Sequence, residues 1–310
     1  MLRVMLLFFA MIYSNIAFAT KQIDIYSMFS PGGGGNIIGL DIVNRMNNIQ
    51  DEYEFRLATV PGAAGDNAAL RAIASARAGQ DILIWQGTGS YTFGKYASAN
   101  PNAYDRDNDL IPIVSFVGTQ FHIMVEPESE IKTLSELVDS FRKKDIVYFG
   151  STSTNPITPF LNVIFLKSND LKPAKELNYT APFDIAKSVL TKESNYTIFP
   201  PSDVRGLKSI VSSGSTRSKS HPDVPTGKEL GMSDFNFAST LLFAVPKEKQ
   251  AFGVKFEKML LQICQDPEFA STAEKIGYEV KCVPGEPLKN SIRAESDLIK
   301  KYEKDVTWKR

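Results

Sequence analysis

Four consecutive glycines, Gly32 to Gly35, stand between Pro31 and Asn36 in the stretch SPGGGGNIIG. Glycine gives up side-chain contacts and costs conformational entropy. A run of it points to unusual backbone angles or to something lying against the main chain. Three chemistries compete for the stretch. A dinucleotide fingerprint, G-x-G-x-x-G, fails because counting from Gly32 or Gly33 places Ile37 or Ile38 last. The acidic residue such a site needs about 20 residues on is also missing from Ala58-Thr59-Val60. A phosphate loop requires Gly-Lys-Ser/Thr, and Gly35 is followed by Asn36. An anion nest requires only successive backbone N–H groups at a helix N-terminus, where the helix dipole favours negative charge. A plain strand-to-helix turn would need one glycine, not four. A second loop, Pro61-Gly62-Ala63-Ala64-Gly65, opens the next helical segment. Neighbouring parallel strands would set both loops on one edge of a sheet, facing one carboxylate.

Other chemistry leaves little trace. The spacings H-E-x-x-H and C-x-x-C are missing, as is the G-x-S-x-G elbow of an exported esterase. His122 in an apolar strand and His221 beside Pro222 read as structural. Paired carboxylates among 35 acids carry no signal by themselves. No enzyme, cofactor or metal site is expected. With 35 basic residues against 35 acidic ones, nothing favours nucleic-acid binding.

The elements that would hold these loops follow from periodicity. Ile23, Ile25 and Ser27 alternate as a first strand, and Ile38, Ile42, Met46 and Ile49 recur at helical spacing. Tyr53, Phe55 and Leu57 alternate as a second strand, and Ala69, Ala72, Ile73 and Ala76 form another helical stripe. Residues 81–85 read as a buried strand. Strand, glycine loop and helix, repeated, is the pattern of an α/β fold. In the middle, Thr133 with Glu136 predicts a capped helix to Arg142. A strand at 145–149 leads into a polar loop, Gly150 to Thr154, and a helix from Phe160 to Leu166. Extended or mixed segments are expected at 203–211 and 237–245. Helices at 247–265 and 268–276, a strand at 278–283 and a helix from 288 to 302 complete the chain. The Asn178 and Asn195 glycosylation triplets read as ordinary turns. Cys264 and Cys282 are expected to form a disulfide.

With 310 residues, 43% of them hydrophobic, the chain is long enough for two domains. Its N-terminus carries Arg3, an apolar run from Val4 to Tyr13 and the small-x-small ending Ala17-Phe18-Ala19. This predicts a leader over residues 1–19, cleaved after Ala19, and export of the chain. The run is too short for a spanning helix.

The loops SPGGGGN and VPGAAGDNAA, with HPDVPTGKELGM at 221–232 and DPEFASTAEKIGYEV at 266–280, resemble the Bug-type (TctC-like) periplasmic solute receptors of tripartite tricarboxylate transporters. The resemblance spans essentially the whole mature chain. It implies an α/β, two-domain periplasmic-binding-protein-like (type II) fold with a Venus-flytrap cleft. One domain would comprise residues 20–120 with 236–310, the other 121–235. It also implies a monomer that closes on a small organic acid and makes transient contact with membrane transporter subunits. A sensor-kinase receptor and, less favoured, an exported hydrolase are the alternatives.

Members of this family hold a ligand carboxylate mainly through main-chain groups and ordered waters. Carried over, one wall comprises Phe29, Pro31, Gly32, Gly33, Gly34, Gly35 and Asn36, with Pro61, Gly62, Ala63, Ala64 and Gly65. Gly87, Thr88, Gly89 and Ser90 form the third contact loop. Ser151, Thr152, Ser153 and Thr154 supply hydroxyls from the other domain, with Tyr179, Thr180 and Ala181, and Ser202 and Asp203, as further edges. The chain departs from the family pattern at Asn36, where Asp is usual, at Ala64, where Gly is common, and at Tyr179-Thr180-Ala181. Valine at Gly33 or Gly34 is expected to abolish binding by resisting positive φ and filling the ligand's space. Alanine at Arg45, a turn or more into the helix, serves as the control, since main-chain groups rather than a guanidinium are expected to hold the acid.

Overall fold

A computed structural model describes residues 20–152 and 155–308. The leader and its cleavage point after Ala19, and the candidate residues Ser153 and Thr154, lie outside the described residues. The chain opens with β1 (Lys21–Ser27), α1 (Gly34–Ile49), β2 (Tyr53–Thr59), α2 (Asp66–Arg77) and β3 (Ile82–Gly87). Two one-turn helices, α3 (Gly89–Thr92) and α4 (Gly94–Ala97), precede the long strand β4 (Leu110–Gln120). The middle of the chain holds β5 (His122–Val125), α5 (Leu134–Arg142), β6 (Tyr148–Thr152), α6 (Ile157–Ser168), β7 (Lys175–Tyr179), α7 (Pro182–Leu190), β8 (Tyr196–Phe199) and β9 (Lys208–Ser212). It then returns through β10 (Ala238–Pro246), α8 (Gln250–Cys264), α9 (Pro267–Lys275), β11 (Glu279–Val280) and α10 (Gly285–Tyr302).

The strands form two sheets. The first has the order β11-β4-β10-β3-β1-β2 and the second β7-β6-β8-β5-β9. β1 pairs in parallel with both β2 and β3, so the loops that leave these three strands share one edge. In the second sheet β6 is parallel to β7 and β8, which aligns the ends of those strands in the same way. Two crossovers connect the sheets, one at Phe121 between β4 and β5, the other from β9 to β10. The chain is α/β with two domains.

The core follows the predicted stripes. Ile38, Ile42 and Met46 of α1 are fully buried beside Phe256 and Leu260 of α8 and Phe269 of α9. Ala69, Ala72, Ile73 and Ala76 of α2 cover the other face of the sheet together with Leu288 and Ile292 of α10. The far end of α10 contributes Ile299 and Tyr302 to the core of the second sheet, where Phe93 and Phe160 also pack. One helix thus ties the two cores together. Among the described residues no helix is long and apolar enough to cross a membrane.

Several boundaries differ from the sequence reading. The expected polar loop from Gly150 is, through Thr152, the end of β6: Ser151 pairs with Asn178 and Thr152 with Tyr179, and both side chains are buried. Polar residues hid a buried strand. The expected strand at 278–283 shrinks to Glu279–Val280, after which Lys281 N donates to Phe116 O and the chain follows β4 irregularly. Cys264 and Cys282 are bonded as expected, with Cα atoms 6.0 Å apart. Closing a loop of this length contributes about 3 kcal/mol in the chain-entropy model.

Candidate functional site

The glycine run resolves into separate tasks. Gly32 takes φ +79°, a conformation L side chains avoid, and a Cβ there would meet nothing within 4 Å. Gly33 is the N-cap of α1 at φ −73°, and its carbonyl accepts from the N–H groups of Asn36 and Ile37. A Cβ on Gly35 would lie 2.6 Å from the Phe29 ring, so this glycine is a packing requirement. A Cβ on Gly34 would come within 3.0 Å of the Tyr278 ring. Positive φ is therefore confined to Gly32 within this run, and the expectation that Gly33 and Gly34 need it is corrected. Phe29 packs on Trp85, whose indole N–H donates to Gly35 O at 2.7 Å. Asn36 is buried, and its Oδ1 accepts from Gly32 N at 3.3 Å, which holds the loop shut on itself. The N–H groups of Gly34 and Gly35 have no partner among the described residues, and no side chain caps the helix.

The second loop is strained. Gly62, Ala63, Ala64 and Gly65 all have positive φ, with Ala64 at φ 52°, ψ 29°. For alanine the left-handed region costs about 1–2 kcal/mol per residue, and such outliers cluster where a ligand or switch needs them. Pro61 to Ala64 are exposed, and α2 begins at Asp66 without a side-chain cap. The Ser90 hydroxyl donates to Ala64 O and to Met28 Sδ, so the three loops touch one another. Ser90 and Thr88 are buried, and their hydroxyls face protein atoms; Gly89 is half-buried at the start of α3.

Behind the loops stand two groups that sequence reasoning missed. Asp66 is buried and receives a two-pronged bond from Arg106, at 2.6 and 2.8 Å. Arg106 also donates to Ser90 O at 3.1 Å. The Glu295 carboxyl on α10 lies under the third loop, where Thr88 Oγ1 donates to it at 3.4 Å and its second oxygen has no partner. Burial pushes this carboxyl up to about 8, with the Thr88 and Thr92 hydroxyls working the other way. The unfolded chain releases the Glu295 proton near its ordinary value while the folded chain keeps it. Stability contributed by this group therefore falls as pH rises through that window and is level above about 8. Replacing Glu295 with Gln is expected to raise stability at pH 7.5 relative to pH 5.5 by about 2 kcal/mol compared with the parent. Urea melts of both proteins at the two pH values check it, and equal slopes would show that the carboxyl is solvated.

The second sheet carries the remaining candidates. Ser151 and Thr152 end β6, and half-buried Tyr179, exposed Thr180 and half-buried Ala181 lead into α7, whose N-terminus has no side-chain cap. Phe183 on its first turn is 73% exposed, the largest apolar surface among the described side chains, and no periodicity marked it out. The turn after β8 reaches across: a Cβ on Gly277 would overlap the Ser202 side chain, at 2.3 Å from its Cβ. Asp203 follows, and Tyr278 stands between this turn and Gly34. Glu279 accepts from Ser218 Oγ and Lys219 N, a second contact between the domains. The two histidines pack edge to face at 4.9 Å; His122, pushed down to about 3 by burial and then by His221, bonds Ser209. Arg45 is not idle: it bonds Asp41 and Asp266 and joins α1 to α9. Among the described residues no group of three or more metal-ligating side chains comes together.

Solved structures of periplasmic solute-binding proteins share this fold. Similar solved structures include a TctC solute-binding protein from Polaromonas (15% identity, TM-score 0.76, 91% of this chain and 99% of that one). The Rhodopseudomonas palustris protein Rpa4515 with adipate (14%, 0.74, 92% and 97%) and MatC from the same organism with bound malate (15%, 0.68, 91% and 99%) are also similar. No protein-family profile and no curated protein matches the sequence.

Proposed function

We propose that this protein is an exported receptor of the Bug/TctC type. It would capture a small organic carboxylate between its domains and deliver it to a tripartite tricarboxylate-type transporter in the membrane. The observation that carries the reading is the open N-terminus of α1, with two unpartnered N–H groups, beside the strained second loop on the same sheet edge. A helix N-terminus supplies both donors and a favourable dipole for an anion. Similar folds with adipate and malate support a carboxylate as the occupant. The residues carried over from the family are proposed as the two walls, with domains at 20–120 with 236–310 and at 121–235. The protein acts as a periplasmic monomer without catalysis.

A thermal-shift screen of organic acids tests this. An acid present at 100 times its Kd is expected to add about 2.7 kcal/mol to the folded state, a rise of several degrees in Tm. A panel of mono-, di- and tricarboxylates and amino acids without any shift would sink the reading.

A further inference from the structure

The last helix carries a stripe of cations that the receptor reading does not use. Lys289, Arg293 and Lys300 recur on α10 at helical spacing, which sets them along one face. Together with Lys95 of the one-turn helix α4 they line a groove of about 330 Å³, where Ser296 adds a hydroxyl between Arg293 and Lys300. That volume lies within the range of small-ligand sites. The floor is apolar: Tyr91, Leu110 and Ile292 line it and are 5%, 1% and 7% exposed. None of the candidate wall residues of the cleft lines this groove. Cations on a solvated helix face can pair with acids a turn away. Here, among the described residues, only Lys289 of the four has an ion pair, with Glu286. Arg293 donates to Asn290 Oδ1 at 3.3 Å, and the Lys95 ammonium stands 5.1 Å over the Tyr96 ring. Two acids, Asp107 and Asp297, also line the groove, and neither is paired with a cation among the described residues. The groove therefore keeps an excess of two positive charges.

Uncompensated cations around a concave apolar floor favour an anion that has an apolar body. A carboxylate would offset half of the excess charge. A phosphate monoester carries about −1.5 to −2 at pH 7 and offers three strong acceptor oxygens. The planar fork of Arg293 can take two of those oxygens, and the flexible lysines suit the third. We propose that this groove is a second ligand site, for a phosphate monoester whose apolar body rests on Tyr91, Leu110 and Ile292. The chemistry is the same for a soluble ester and for the headgroup of phosphatidate in a membrane. The site is independent of the carboxylate-receptor reading, because it uses none of the glycine loops.

Calorimetry with phenyl phosphate, benzoate and inorganic phosphate tests it. Phenyl phosphate is expected to bind at least tenfold more tightly than either of the others, since benzoate lacks the second charge and inorganic phosphate the apolar body. The double variant Arg293→Gln, Lys300→Gln should weaken phenyl phosphate binding tenfold or more. It should leave the Tm of the ligand-free protein in place, because both side chains are exposed and make no ion pair among the described residues. Gly33→Val, which alters the cleft, should bind phenyl phosphate as the parent does. Vesicles containing phosphatidate separate the two sources: retention that the double variant loses assigns the lipid, and any other vesicle result assigns the soluble ester. Whatever the vesicles show, three results would overturn the site: no binding of phenyl phosphate, benzoate binding as tightly, or an affinity unchanged in the double variant. Loss of phenyl phosphate binding in Gly33→Val would place the ester in the cleft and overturn it too.

Discussion

Arg106→Leu is expected to cost about 3–5 kcal/mol of stability, because it leaves a buried carboxylate without its counter-charge. Asp66 is 3% exposed and Arg106 6%. Besides Arg106, Ser98 Oγ donates to Asp66 at 2.5 Å. Removing the guanidinium also frees Ser90 O and the Tyr104 hydroxyl, both of which accept from it now. The loss should reach the site as well. Asp66 is the first residue of α2, directly after the strained second loop, and Ser90 belongs to the third. With the clamp gone, the left-handed alanines can relax, and carboxylate affinity should fall together with stability. The double variant Asp66→Asn, Arg106→Leu should recover part of the loss, since no charge is then stranded. Urea unfolding of the three variants decides it. A single variant within about 1 kcal/mol of the parent would mean that water reaches Asp66.

This clamp also shows where the sequence stops being legible. The two glycine loops, the helices behind them and the disulfide could be read directly, because each rests on local signals: period, punctuation and a lone cysteine pair. Asp66 and Arg106 are 40 residues apart in the chain and carry no local mark of their pairing. The same holds for Tyr278 against Gly34 and for Glu295 under Thr88, contacts made only once α9 and α10 return to the first sheet. The sequence pattern puts β6 three residues early because Gly150, Ser151 and Thr152 have loop-like composition, yet they are buried in a strand paired on both sides, by β7 and β8. Local chemistry marked the edge proposed to bind an anion, whereas the groups that hold it in place come from long-range packing.

Within the glycine run, Gly33→Val is the substitution that should separate binding from folding. Its backbone, at φ −73° and ψ 155°, is the extended conformation valine prefers, and the nearest atom to a Cβ is Ser30 O at an ordinary 3.4 Å. The fold should lose no more than about 1 kcal/mol, the usual range for a helix-cap change. The new isopropyl group would stand over the open N–H groups of Gly34 and Gly35 and exclude the ligand oxygens from them. Each charge-assisted hydrogen bond lost is worth about 1.5–3 kcal/mol, so losing two weakens binding by about a hundredfold or more. Gly34→Val is the wrong probe, since its side chain would collide with Tyr278, and Gly32→Val would add backbone strain. Arg45→Ala supplies the contrast. It breaks the bonds to Asp41 and Asp266 and should lower stability by about 1 kcal/mol while leaving affinity unchanged below the melting range. Calorimetry with an acid that stabilises the parent separates the cases. Full affinity in Gly33→Val would show that side chains, not the α1 N-terminus, hold the carboxylate, and lost affinity in Arg45→Ala would point to the guanidinium.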